Sequence, residues 1–373
     1  MKILLLSPAS SIHTVRWAKA FHERGCTVHI VSLPDHHLGK DKLCDGITVH
    51  YLKIGGTKGY YLNAAELRKL TKEIKPSIIN AHYASGYGTL ARKARIHPLV
   101  LNVWGSDIFE FPRRNFICEK VIIKNLKNAE QISSTSNAMA EEVKRVLKKE
   151  TTPITVVPFG VDIDTFSPKN ENCSDNRYFT FGSIKGLSPI YGMEYLVKAF
   201  ALVVNRWTAE GKESPEPHMF LCGAGQPTDL EVLSSLRAEL HLEHMCEIQG
   251  PIPHDQVPSK LSSFNACCFA SIVEESFGVS LIEAMACELP VIATDAVGFK
   301  EVVDDGVTGF IVQKGDEKAL ADKMWELFKN EDRCKKLGKN GRDRVIKYYN
   351  WEDNVTDMLS VLERTSQVKR KGE

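Results

Sequence analysis

Ala266-Cys267-Cys268-Phe269-Ala270, Glu274-Glu275-Ser276-Phe277-Gly278-Val279-Ser280-Leu281-Ile282-Glu283-Ala284-Met285-Ala286 and Pro290-Val291-Ile292-Ala293 follow one another closely in the chain. They read as strand, helix and strand. A short apolar run on each side of a helix is a βαβ unit, and such units build parallel sheets. The helix opens near Gly278. Its first N–H groups lack intrahelical acceptors and carry roughly half a positive charge, which makes a ready phosphate site. Gly278 lets the backbone approach an anion without a Cβ in the way. Glu275 precedes the helix, and Glu283, eight positions on, lies inside it.

The same rhythm extends in both directions. Strands are expected at 2–6, 26–32, 47–51, 77–82, 98–103, 130–134 and 154–157, with helices near 13–24, 61–75, 86–96, 113–127 and 137–149. A second set of strands is expected at 177–183, 217–222, 245–249, 266–270, 290–293 and 308–312, again separated by helices. The tail from Asp316 is helical, and Trp351 opens a last amphipathic helix. Pro158-Phe159-Gly160-Val161-Asp162-Ile163-Asp164-Thr165-Phe166-Ser167-Pro168 and the polar stretch Lys169–Asn176 read as the joint between two doubly wound domains. Ligands in such sheets collect beyond the carboxyl ends of the strands.

Composition agrees with this reading. The 373 residues exceed what one core usually organises. With 43% hydrophobic and 25% charged residues the chain has a globular composition, which sets aside disordered and collagen-like classes. The apolar run at the start is too short for a signal peptide, and no stretch approaches the roughly 20 apolar residues of a membrane span, so a cytoplasmic protein is expected. Ten cysteines without a C-x-x-C pair read as buried, reduced thiols. The net charge of +1 conceals an asymmetry. Residues 1–165 carry 24 Lys and Arg against 15 Asp and Glu, a balance of +9, whereas residues 166–373 carry 24 against 32, a balance of −8. An anionic partner for the first half follows from this, or simple attraction between the halves.

The segment Glu274–Ala286, continued by Cys287-Glu288-Leu289-Pro290, resembles the Glu-x7-Glu motif of retaining glycosyltransferases of family 4 (glycosyl transferases group 1). Leu221-Cys222-Gly223-Ala224-Gly225, Gly250-Pro251-Ile252, Asp305-Gly306-Val307-Thr308-Gly309-Phe310 and the Trp351 helix match as well. The resemblance implies an α/β GT-B architecture, two Rossmann-like doubly wound domains facing a cleft. It assigns residues 1–163 to an acceptor-binding domain and 164–350 to a nucleotide-sugar-binding domain. Residues 351–373 form a helix that packs back on the first.

It also implies roles. Glu275 binds hydroxyls of the donor sugar, Ser276 and the N–H groups of Phe277, Gly278 and Val279 hold the diphosphate, and Glu283 binds the ribose. Gly250-Pro251-Ile252 lines the base. Gly182, Ser183 and Lys185 supply the first loop of the second domain, with Lys185 in the place of the family's Arg and Ile190 in the place of its Lys. At Val103-Trp104-Gly105-Ser106-Asp107 many relatives have His where Trp104 stands. Asp107 and His82 remain candidates for catalytic work, and Ser11, His13, Arg16, Trp104 and Asp107 for the acceptor pocket. Asp162-Ile163-Asp164 has the form of a metal-binding Asp-x-Asp pair but falls in the joint, where the family has a similar Gly-Val-Asp stretch, and no metal site is expected there.

The function so implied is metal-independent, retaining transfer of a hexose-type sugar from a nucleotide diphosphate sugar, with a UDP-sugar favoured. The acceptor is a glycan or lipid-linked molecule of cell-envelope or polysaccharide biosynthesis. No cofactor beyond the donor is expected and no nucleic acid. The basic helix 113–127 adds peripheral association with an anionic membrane at its inner face. A sugar-nucleotide epimerase or hydrolase of the same fold, or a nucleotide-sugar-binding protein without turnover, stay open as alternatives.

Overall fold

The computed structural model describes residues 1–39, 43–148, 152–168, 177–212 and 215–368. The stretch Lys169–Asn176 of the expected joint lies outside the described residues, as do residue 149 of the helix expected at 137–149 and residues 369–373 of the C-terminal segment. Contacts divide the chain into two compact units, one of residues 1–158 with 352–373 and one of residues 159–351.

The first unit carries seven strands: β1 (Lys2–Leu6), β2 (Thr27–Ser32), β3 (Thr48–Tyr51), β4 (Ile78–His82), β5 (Leu99–Val103), β6 (Gln131–Ser134) and β7 (Ile154–Val156). They pair in parallel in the order β3-β2-β1-β4-β5-β6-β7. Parallel strands need helical crossovers, which cover both faces of the sheet. Accordingly β4 and β5 are buried at every residue. Helix Trp351–Ser366 belongs to this unit by contact: Glu352 pairs with Arg24, and Asn354 Nδ2 donates to the Pro158 carbonyl at 3.2 Å.

The second unit has six strands: β8 (Tyr178–Ile184), β9 (Glu216–Cys222), β10 (Cys246–Gln249), β11 (Ala266–Phe269), β12 (Val291–Thr294) and β13 (Gly309–Val312). All pair in parallel, in the order β10-β9-β8-β11-β12-β13. Its core joins Phe181 and Leu221 of the sheet to Leu196 and Phe200 of helix Met193–Ala209 and to Leu320 and Met324 of helix Glu317–Phe328.

Both sheets have the doubly wound order, in which the direction of winding from strand to strand reverses once. The reversals fall between β1 and β4 and between β8 and β11. Helices on either side of a reversal leave a crevice beyond the strand ends, and ligands of such sheets bind there.

Two helices differ from expectation. The stretch 61–75 is part of two helices, Gly56–Leu62 and Ala64–Ile74. Asn63 breaks the run because its side chain accepts from Ile54 N and donates to Ile54 O. The stretch 113–127 begins only at Phe116, since the Asn115 side chain caps the N–H groups of Ile117 and Cys118. Among the described residues no cysteine is disulfide-bonded, but Cys44 is exposed rather than buried. Asp162 accepts from the N–H groups of Asp164 and Thr165 and from the Thr165 hydroxyl, closing a turn.

Candidate functional site

In the second unit the candidates converge on the β8/β11 reversal. Lys185 is the first residue past β8, and its N–H donates to Cys222 O at 2.9 Å. Its ammonium lies 2.8 Å from Glu275 Oε1, with 13% and 17% of the two side chains exposed. The rings of Tyr191 and Phe299 stand 4.7 and 5.6 Å from the same ammonium. Ser271, immediately beyond the apolar run of β11, donates its hydroxyl to Glu275 Oε1 at 2.6 Å. The shielded cation thus has one carboxylate partner and two aromatic faces.

Close packing fixes the loop that carries Glu275. Gly298 N donates to Glu275 O at 2.9 Å. A Cβ on Gly298 would come within 2.4 Å of Phe277 N and 2.5 Å of Glu275 O, so only glycine fits. Phe277 is buried against Phe159 and Tyr349. Gly278 takes φ +120°, a conformation L side chains rarely adopt, and turns the chain into helix Val279–Ala286. The Glu274 carboxylate has other partners. Burial raises its pKa, but the Lys314 ammonium at 2.5 Å and the Val297 N–H outweigh this and lower it. That carboxylate serves to tie the loop down.

Glu283 sits on the helix with its carboxylate almost covered, and Oε1 lies 3.0 Å from His254 Nε2. His254 comes from the loop after β10, where Gly250 O accepts from Cys222 Sγ at 3.1 Å and Pro251 and Ile252 follow. Gly182 is packed against the Phe264 ring, and the fully buried Ser183 hydroxyl has no hydrogen-bond partner among the described residues. Ile190 is 45% exposed. Its neighbour Tyr191 presents its ring to Lys185.

In the first unit the candidates gather at the ends of β1, β4 and β5. His82 is 1% exposed, and its Nδ1 shares a 3.0 Å hydrogen bond with Ser7 Oγ, itself 2.6 Å from Thr14 Oγ1. Burial, with a smaller push from His13, lowers its pKa to about 3, so the imidazole is neutral near pH 7. Trp104 is enclosed by the rings of His82 at 4.5 Å, Tyr83 at 4.8 Å and His13 at 5.4 Å. Asp107 is buried with Oδ2 on Ala84 N at 2.8 Å and Oδ1 on the N–H groups of Trp104 and Gly105, at 3.1 and 2.9 Å. Burial raises its pKa, and these amides oppose the rise. The carboxylate joins the loops after β4 and β5. Ser11 precedes helix Ile12–Glu23 without a side-chain cap bond, and His13 and Arg16, one turn apart on that helix, are half-buried.

Sequence reading missed Ser7, Thr14, Tyr191, His254, Ser271 and Phe299. Ser7 and Ser271 left a local signal, a hydroxyl at the end of an apolar strand run, and Ser271 also leads into the glutamate loop.

Comparison with known proteins adds a family. Two family models match in tandem, Glycosyl transferase 4-like over residues 2–136 and Glycosyl transferases group 1 over residues 164–344. The chain is similar to the D-inositol 3-phosphate glycosyltransferase of Corynebacterium urealyticum, with 24% identity over 273 residues. That match takes in 70% of this chain and 62% of the relative, so the chain spans less than two thirds of that protein. It is also 26% identical over 386 residues to the capsular polysaccharide biosynthesis glycosyltransferase CapM of Staphylococcus aureus, covering 94% of each. Among solved structures, Anabaena HepE in complex with UDP and glucose has a TM-score of 0.79 at 19% identity, over 98% of this chain and 100% of that one. The shared fold is GT-B, with two Rossmann-like domains.

Proposed function

The chain belongs to the group 1 glycosyltransferases, and we propose that it moves a hexose-type sugar from a nucleotide diphosphate sugar to a glycan or lipid-linked acceptor. One observation carries the reading: a shielded lysine–glutamate pair at the strand reversal of the second unit, beside a helix N-terminus. The pair offers a cation for the leaving diphosphate and a carboxylate for sugar hydroxyls. The N–H groups at Phe277, Gly278 and Val279 offer fixed donors to the same phosphates. Glu283 takes the ribose hydroxyls. A UDP-sugar is favoured, in line with the UDP complex of HepE, and polysaccharide or cell-envelope assembly agrees with the name of CapM.

In this reading transfer retains anomeric configuration and needs no metal. The bond from the anomeric carbon to the diphosphate oxygen breaks as the acceptor oxygen attacks from the same face. The acceptor proton passes to the departing phosphate oxygen. Lys185 and the loop amides stabilise the charge that grows there, in a site already organised before the reaction. His82, neutral and enclosed, positions the acceptor side through Trp104, and Asp107 holds the two loops that present them. Ser11, His13 and Arg16 complete that side.

A thermal-shift screen against UDP, GDP, ADP, CMP and dTDP and their sugar conjugates tests the donor. Saturation at about 100 times Kd stabilises a fold by about 2.7 kcal/mol. Lys185→Ala and Glu275→Ala should each reduce turnover by about 100-fold or more. Near-normal rates in both variants would sink the assignment. Turnover of donor alone, without an acceptor, would turn the reading toward an epimerase or hydrolase.

A further inference from the structure

Five neighbouring strands of the first sheet, in the order β3-β2-β1-β4-β5, each lead into a segment that carries an aromatic ring. Tyr60 lies on helix Gly56–Leu62 after β3, His36 in the turn Pro34–His36 after β2, and His13 on helix Ile12–Glu23 after β1. Tyr83 directly follows β4, and Trp104 directly follows β5. The rings form two groups. Trp104 stands 5.4 Å from His13 and 4.8 Å from Tyr83. Buried Tyr87, which opens helix Tyr87–Ala94, has Tyr60 at 5.2 Å and His36 at 6.0 Å, and its hydroxyl holds His36 Nδ1 at 2.8 Å. The loop after β4 joins the groups: the Tyr60 ring lies over Gly86, where a Cβ would come within 2.7 Å of it, three residues past Tyr83.

Tyr83 is held in place at a cost. Its φ is +66°, in the left-handed region that a bulky L residue rarely adopts. Among the described residues six other non-glycine residues have positive φ, and each lies within three residues of a helix end, where that conformation closes the helix. Tyr83 instead follows a strand. Its N–H donates to Asn102 O at 3.0 Å and its carbonyl accepts from Gly88 N at 3.0 Å. The next residue, Ala84, is clamped by Asp107 Oδ2 on its N–H and by Asn125 Nδ2 on its carbonyl, both at 2.8 Å. Strain kept by such surroundings marks a side chain whose direction matters, and here the ring is set against Trp104.

The polar groups beside these rings are carboxylates. Burial pushes the Tyr60 phenol up to about 12, and Asp35 adds to the rise; burial and then Asp107 raise Tyr83. Carboxylates accept from sugar hydroxyls and repel phosphate. A pyranose has a face of C–H groups that packs on an aromatic ring and a rim of hydroxyls for such acceptors. Tyr83, Tyr60 and His36 all keep part of their surface open. We propose, resting on the sugar-transfer reading above, that this row of rings binds the acceptor, and that the acceptor is an uncharged glycan of at least two pyranose units. One sugar packs on Trp104 and Tyr83, and the next on Tyr60 and His36. A single sugar or a small polyol phosphate would leave the second group of rings empty.

The test is binding of the full chain, without donor, to immobilised glucose, galactose and mannose, to uncharged di- and trisaccharides built from them, and to phosphorylated and uronate counterparts. At least one uncharged di- or trisaccharide should be retained more strongly than its monosaccharides and its anionic counterpart. Tyr83→Ala and Tyr60→Ala should each weaken that binding about tenfold (~1.4 kcal/mol). Tyr60→Phe, which keeps the ring, should restore it. A merely structural role would lower the thermal midpoint of the alanine variants and leave glycan binding by the folded protein intact. Retention of no glycan, strongest retention of a monosaccharide or an anionic probe, or binding that survives both alanine variants would overturn the proposal. With no donor present, each of these results leaves the sugar-transfer reading standing, since that is judged by the nucleotide screen.

Discussion

Acid should destabilise the first unit through His82, and His82→Gln should remove that sensitivity. The imidazole is 1% exposed and its pKa is pushed down to about 3, against about 6.5 for a histidine in an unfolded chain. Below pH 6.5 the unfolded chain therefore takes up a proton that the folded one refuses. Stability is fully present above the unfolded value and is lost as the pH falls toward 3. The loss grows by about 1.4 kcal/mol per pH unit, which gives about 2 kcal/mol between pH 7 and pH 5 and a ceiling near 5 kcal/mol. Burial, with a smaller push from His13, keeps the ring neutral, and Trp104 at 4.5 Å and the Ser7 hydroxyl at 3.0 Å are among its neighbours. Glutamine preserves an acceptor for Ser7 and carries no titrating group. At pH 7 the variant should be less stable by about 1–2 kcal/mol, for lost packing and hydrogen bonding. By pH 5 that gap should close or reverse. Two units need not unfold together, so urea midpoints are best read by hydrogen exchange of peptides from β1 and β4. Parallel acid limbs in the wild type and the variant would refute the argument, since the proton would then be taken up elsewhere.

Two further substitutions probe the loops that hold the candidate residues. Gly298→Ala places a methyl group within 2.4–2.6 Å of the backbone at Glu275–Phe277, so that loop must shift. Turnover should drop by about 100-fold while the far-ultraviolet circular dichroism stays native, and normal kinetics would mean that the loop geometry is irrelevant to the reaction. Asp107→Asn turns an acceptor of three backbone N–H groups into a side chain with one acceptor oxygen. The first unit should lose about 3 kcal/mol in urea unfolding, and nucleotide affinity should stay as it was; an unchanged midpoint would count against the clamp.

Strand positions were legible because these strands are covered on both faces. The run 266–270 was apolar throughout, and β11 spans Ala266–Phe269 with every residue buried. The same holds for 98–103 and β5. Helices were less legible wherever a polar side chain ends them locally. Asn63 and Asn115 act through hydrogen bonds to backbone groups, and periodicity of apolar residues carries no trace of that. At the candidate site, the loop and helix bearing Glu275 and Glu283 stood out, since glycine, strand end and helix start are neighbours in sequence. Tyr191 and Phe299 did not, because they reach Lys185 from separate elements of the fold.

The Tyr191 ring bears on how one lysine would serve a dianionic leaving group in the proposed transfer. With no ligand bound, Lys185 and Glu275 cancel each other, so the shielded pair has little net charge to desolvate. In the proposed reaction a diphosphate entering beside the ammonium would compete with Glu275, and sugar hydroxyls donating to the carboxylate would compensate it for the lost contact. Tyr191 and Phe299 attract the ammonium without neutralising it, each by about 0.5–2 kcal/mol, because a ring quadrupole carries no net charge. They hold the cation in place as its carboxylate partner turns to the sugar. A second lysine at Tyr191 would add charge but repel the first when the site is empty. An aromatic side chain gives up that charge and secures the position of the one that remains, and on the proposed reading the amides at the start of helix Val279–Ala286 would supply the other half of the phosphate contact.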